Sequence, residues 1–166
     1  TKHVTVGDKI FARTLNRKTV TDSYGNEWQY HSRSDAHSKA ACWGIMFDIL
    51  ARCALLEKHA REMKIGFGIN HEMHDFRMNR KKVLDLVVCT PGGPFKEETL
   101  MTCAPEHVVL AEGEKEALAA LPPLRKCPVG TRLIALEAKA CMTEHIKARP
   151  RLYDELSSSH QTINGD

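Results

Sequence analysis

Leu133-Ile134-Ala135-Leu136-Glu137-Ala138-Lys139 is an apolar run of four that ends in a carboxylate, one small residue and a lysine. On a strand, alternate side chains share a face, so Glu137 and Lys139 are expected to point the same way. Ionised groups at the margin of a core must be paired or given chemical work. A metal ligand beside a cation that handles a phosphate or a water is the work this pair fits.

Upstream, Val83-Leu84-Asp85-Leu86-Val87-Val88-Cys89 is a second buried-type strand, apolar throughout except at Asp85. Phe67, Ile69, His71, Met73 and Asp75 alternate and predict the strand before it, joined by the basic turn Arg77-Met78-Asn79-Arg80-Lys81-Lys82. Residues 36–64 give the strongest helical signal. Ser34 or Asp35 can cap it, Gly66 lies past its end, and Cys42, Ile45, Met46, Ile49, Leu50, Cys53, Leu56, Ala60 and Met63 make one stripe. Ala41, Gly44, Phe47, Ala51 and Leu55 make its other side apolar too, so this helix is expected to be covered on both sides. Asp48 falls within that second patch and is either paired or turned toward a site; Glu57 is the alternative acid.

Residues 3–33 read as β. Thr19-Val20-Thr21 and Trp28-Gln29-Tyr30 flank Asp22-Ser23-Tyr24-Gly25-Asn26, a hairpin signal, and Arg13, Arg17, Lys18, His31 and Arg33 make this arm basic. Residues 91–130 read as an insertion opened by Thr90-Pro91-Gly92-Gly93-Pro94. It holds a short acidic helix over 112–121 whose glutamates are expected to be solvated. A last helix spans 141–158. Pro150 is expected to kink or divide it, with Lys147, Arg149 and Arg151 clustered there and a polar tail after it. The expected organisation is therefore one domain over 1–166: a β-rich basic arm (1–33), a core (34–89 and 131–160) and the insertion (91–130).

Composition limits the alternatives. The 166 residues are 42% hydrophobic and 27% charged, ordinary for a soluble globular domain with a real core. Net charge is +3, which permits a polyanionic partner without demanding one. Six cysteines lack any C-x-x-C pair, which reads as a reducing cytoplasm rather than a disulfide framework. No apolar run reaches 18 residues, so no membrane span is expected. The chain opens at Thr1 and closes at Asp166, which admits a fragment or a segment of a longer product.

Neighbouring strands would bring Asp85 and Glu137 within reach of one cation. Two carboxylates completed by water and phosphate oxygens is how Mg²⁺ is usually held. Lys139 would then position or deprotonate the attacking water and offset charge on the phosphorus. His71-Glu72-Met73-His74 lacks the H-E-x-x-H spacing of a zincin. Arg77, Arg80, Lys81 and Lys82, with Lys147, Arg149 and Arg151, are either solvated turns or phosphate contacts.

Asp85 followed by Glu137-x-Lys139 resembles the PD-(D/E)XK nuclease superfamily, and the order helix, strand, strand with Asp85, strand with Glu-x-Lys, helix resembles its α-β-β-β-α core. The resemblance spans roughly residues 36–160. It implies a restriction-endonuclease-like α/β (α+β) fold: a central mixed β-sheet flanked by helices, here with an N-terminal β-hairpin. It implies that Asp85 and Glu137 bind Mg²⁺, for which Mn²⁺ substitutes, and that Lys139 assists the nucleophilic water. Many members add an acid from the helix before the sheet, a role that falls on Asp48 first and Glu57 second.

The compact size and basic hairpin resemble a type II restriction endonuclease, which implies a homodimer cutting double-stranded DNA. The chain departs from the family pattern at three points. Leu84 precedes Asp85, 52 residues separate Asp85 from Glu137, and no further strand follows the last helix. Two rival classes remain: a non-catalytic nucleic-acid-binding domain of the same fold, and a metabolic enzyme. The intact Asp85, Glu137 and Lys139 speak against the first, and the lack of a glycine-rich phosphate loop against the second.

Overall fold

The computed structural model describes residues 3–29, 35–75, 79–138 and 145–164. Its centre is an antiparallel sheet of three strands in sequence order: β3 (Gly66–Asp75), β4 (Arg80–Pro91) and β5 (Val129–Leu136). Two further short strands, β1 (Val20–Thr21) and β2 (Glu27–Trp28), form the expected hairpin. The helices are α1 (Val6–Asn16), α2 (Ala36–Arg52), α3 (Ala54–Arg61), α4 (Leu100–Cys103), α5 (Glu112–Ala119) and α6 (His145–Asn164). The architecture is thus mixed α and β, as expected, but the described strands of the main sheet are all antiparallel rather than mixed. A single parallel bridge, Phe67 to Lys126, lies beyond the β3 edge.

The β reading of residues 3–16 is overturned. Thr5 Oγ1 accepts from the Asp8 amide and Asp8 Oδ2 accepts from the Thr5 amide, each at 3.0 Å. This reciprocal cap satisfies two orphan donors at once and starts a helix. Val4 and Val6 alternate over too short a span to compete with it.

Gly7 and Gly44 let α1 cross α2 at backbone distance. A Cβ on Gly44 would stand 3.0 Å from the Gly7 Cα, and one on Gly7 would stand 2.6 Å from the Gly44 oxygen. Within α2, Gly44 lies two residues from Cys42, about 200° around the axis. So α1 lies on one side of α2 and the sheet on the other, as the apolar flanks of this helix predict. Ile45, between them, stays 46% exposed.

The helix expected over 36–64 is interrupted at Cys53, which is extended (φ −99°, ψ 98°). No glycine or proline marks that break. The helix expected to end at 158 continues to Asn164 and runs through Pro150 without division.

The main core joins Ile10 of α1, Trp43, Met46, Phe47 and Leu50 of α2, Phe67 of β3 and Leu86 and Val88 of β4. Each such side chain contributes about 2 kcal/mol by leaving water. The stretch read as an insertion is part of this core, supplying Leu100, Cys103, Ala104, Val108, Leu118 and Leu124. It also extends the sheet edge: the Phe67 amide donates to Arg125 O (3.0 Å) and the Cys127 amide to Phe67 O (3.1 Å).

The acidic helix is present as α5, but its glutamates are not all solvated. Glu114 is buried, pairs with Arg13 and accepts from the Ala111 amide (3.0 Å), while Arg13 also donates to Val109 O (2.6 Å). A buried carboxylate needs such donors. The five described cysteines are free thiols, and no helix among the described residues is long and apolar enough to cross a membrane.

Candidate metal centre

Asp85 sits where the alternation of β4 fails. Leu84 and Val87 pack with Met73 in a small cluster, whereas Leu86 and Val88 pack against the helices. Residues two apart on a regular strand keep one face, yet Leu84 and Leu86 do not. Across the ladder, Ile69 pairs with Leu86 and His71 with Leu84, so Asn70 faces Asp85. Asn70 has φ +50°, a left-handed conformation that asparagine tolerates better than most residues. This irregularity turns the Asp85 side chain toward α2, where the Cys42 thiol donates to its Oδ2 at 3.8 Å.

On the other side of β4, Leu86 pairs with Leu136. One step further along each antiparallel chain stand Asp85 and Glu137. Neighbours so placed have Cβ atoms roughly 5 Å apart. The Ala138 amide, next to Glu137, donates to Asp85 Oδ2 at 3.4 Å. The Cys42 thiol registers both acids: burial first, then the charge of Asp85 and more weakly that of Glu137, push it up to about 12. Two of the residues singled out in the sequence, 52 positions apart, are thus brought together.

Asp85 is half-buried, and both of its hydrogen bonds fall on Oδ2; among the described residues Oδ1 receives none. That open oxygen, with the neighbouring Glu137, fits a hard cation. Mg²⁺ takes one or two protein carboxylates and keeps water or phosphate oxygens for the rest of its shell, rather than filling an all-protein cage. Among the described residues no group of three or more His, Cys, Asp or Glu gathers that could hold a metal ion.

Asp48 is corrected. Thr5 Oγ1 donates to its Oδ2 at 2.6 Å and the Gly7 amide to its Oδ1 at 3.1 Å, so it closes the start of α1. Six residues after Cys42, it lies about 240° around α2 and about 9 Å along it, away from Asp85. Glu57 pairs with Arg61 one turn on, at 2.9 Å, on the outside of α3.

Lys139 and Arg77 lie outside the described residues, as do the side chains of Arg80, Lys147 and Arg151. Lys81 pairs with Glu72 (2.8 Å) across the hairpin, and Lys82 Nζ donates to Glu155 O of α6 (3.4 Å). Lys82 is three residues from Asp85, about 10 Å along β4. Arg149 is exposed on α6. His71 and His74 lie on β3, three residues apart, which places them on opposite faces.

Two neighbours of Asp85 were not foreseen. Cys42 reads as one more apolar member of the α2 stripe, and only the fold shows its partner. Asn70 carries a usable signal: among β-prone residues, asparagine is the type that enters the left-handed region. Comparisons with family models, with curated proteins and with solved structures return no match for this chain.

Proposed function

We propose that this chain is a Mg²⁺-dependent endonuclease of the PD-(D/E)XK type that hydrolyses phosphodiester bonds in double-stranded DNA, acting as a type II restriction enzyme. The observation that carries the proposal is the convergence of Asp85 and Glu137. Leu86 pairs with Leu136, so Asp85 on β4 and Glu137, just past the end of β5, are the next residues along, and among the described residues one Asp85 oxygen receives no hydrogen bond. The order α2/α3, β3, β4, β5, α6 supports it too, since that is the order the family resemblance implies.

Asp85 and Glu137 would hold the cation, which when bound supplies Lewis-acid stabilisation of charge on the scissile phosphate. Lys139, two residues from Glu137, is assigned to orient and deprotonate the attacking water. Lys81, Lys82 and Arg149, with Arg77, Arg80, Lys147 and Arg151, would neutralise neighbouring phosphates and set the register of the duplex. A homodimer would present two such sites, one per strand.

The test is incubation with plasmid DNA and Mg²⁺. The unaltered chain is expected to nick or linearise it, with Mn²⁺ as a substitute. Asp85→Ala and Lys139→Ala are each expected to lower the rate on the order of 10³-fold, as losing one preorganised charge at a reacting centre does. Binding of DNA without cleavage under either metal would instead favour the non-catalytic module.

A further inference from the structure

We propose that Cys42 is a positioning residue of this site: its thiol, together with the Ala138 amide, ties down Asp85 Oδ2 and so presents Oδ1 to the divalent cation. This rests on the metal-site reading above and adds to it a residue from outside the Asp/Glu/Lys set.

Three observations combine. Cys42 is 2% exposed in the second turn of α2, and its sulfur is 3.8 Å from Asp85 Oδ2. The Ala138 amide, just past the end of β5, reaches the same oxygen at 3.4 Å. Two donors from two different elements therefore converge on one oxygen, and among the described residues the other receives none. A carboxylate with a single donor could rotate about its terminal bond; one gripped from the helix and from the β5 end cannot without losing a partner.

The grip also answers a solvation need. Asp85 is withdrawn from water on the α2 side, and an oxygen buried there without a donor would cost about 1–3 kcal/mol. A leucine or valine at position 42 would fill the space and leave that need unmet. Ligating carboxylates are commonly hydrogen-bonded by a neighbour in this way, and loss of the neighbour typically costs about 10–100-fold in metal affinity.

The inference is tested by calorimetric titration of the full chain with Mn²⁺. The set is the unaltered protein, Cys42→Ser, Cys42→Ala and Asp85→Ala, each with its thermal midpoint recorded. Cys42→Ser keeps a donor and is expected within about threefold of the unaltered protein. Cys42→Ala is expected about tenfold weaker, with a midpoint several degrees lower because a buried oxygen loses a donor. Equal affinity for Cys42→Ala, or Cys42→Ser as weak as Cys42→Ala, reduces the cysteine to packing and overturns the inference alone.

Failure of the unaltered chain to bind Mn²⁺ removes the metal site and this inference with it. A readout independent of metal is the S–H stretch in the infrared. Its Cys42 band, isolated by difference against Cys42→Ser, is expected at lower frequency than that of an unbonded thiol. It should rise in Asp85→Leu, and an unshifted band in the unaltered protein overturns the inference.

Discussion

Asp48 and Asp85 present the same puzzle and receive opposite solutions. Each is a lone acid in an apolar stretch, one on α2 and one on β4. At Asp48 both oxygens are used, Oδ2 by Thr5 and Oδ1 by the Gly7 amide, and the carboxylate serves as mortar between α1 and α2. At Asp85 the donors crowd onto Oδ2, and among the described residues Oδ1 receives none. The difference teaches that the work of a buried acid is read from how its lone pairs are filled. A filled acid holds elements together, and a half-filled one has capacity for a ligand.

The most damaging way to disturb this contrast is at the α1–α2 crossing. Gly7→Ala would place a methyl group 2.4 Å from Asp48 Oδ2 and 2.6 Å from the Gly44 oxygen. Since one of these atoms is backbone, the helices must separate, at a cost of about 3 kcal/mol. A thermal midpoint about 9 °C lower is expected, with Mn²⁺ affinity intact. Asp48→Ala, which removes the acceptor and leaves Thr5 and Gly7 without it, should cost about 2 kcal/mol by denaturant titration. It too should leave Mn²⁺ binding within twofold, and a loss of binding would return Asp48 to the site.

The smallest effect sharpens the idea of a filled acid on the surface. Asp22 accepts from the Asn26 side chain, the Trp28 indole and the Asn26 and Tyr24 amides. These bonds, the Asn26 side chain first and the indole second, hold its carboxyl at about 2 against an ordinary 3.8. A depressed acid stabilises the hairpin fully above the ordinary value and loses that support as pH falls through the lowered one. The Trp28 indole N–H signal, followed by NMR, should therefore move with a midpoint near 2. A midpoint near 3.8 would mean that the turn does not form as described.

Much of the sheet was legible. An alternating set over 67–75 and an apolar run over 83–89 predicted β3 and β4, and Leu133–Leu136 predicted β5, because a two-residue period or a buried run is a local property. The adjacency of the two stretches was legible as well, since each is an apolar run that wants burial, and Leu86 does pair with Leu136, one step from Asp85 and Glu137. What failed depended on partners distant in sequence. Asp48 could not be sorted from a ligand without knowing that Thr5 and Gly7 arrive beside it.

Residues 3–16 were misread because a reciprocal Thr5–Asp8 cap outweighs two alternating valines. Glu114 was placed in solvent because nothing local announces Arg13, 101 residues away. The segment 91–130 was set apart for its turn residues, though Leu100, Leu118 and Leu124 enter the main core. Cys42 was counted as a small hydrophobe, which its burial supports and its thiol exceeds.

The central claim is that Asp85 and Glu137, and not Asp48, hold one divalent cation. It is met most directly by counting Mn²⁺ bound per chain, by electron paramagnetic resonance, in the unaltered protein, Asp85→Ala, Glu137→Ala and Asp48→Ala. The account predicts about one ion per chain, lost in the first two variants and kept in the third. Undiminished binding in Asp85→Ala or Glu137→Ala, or no binding by the unaltered protein, would contradict it.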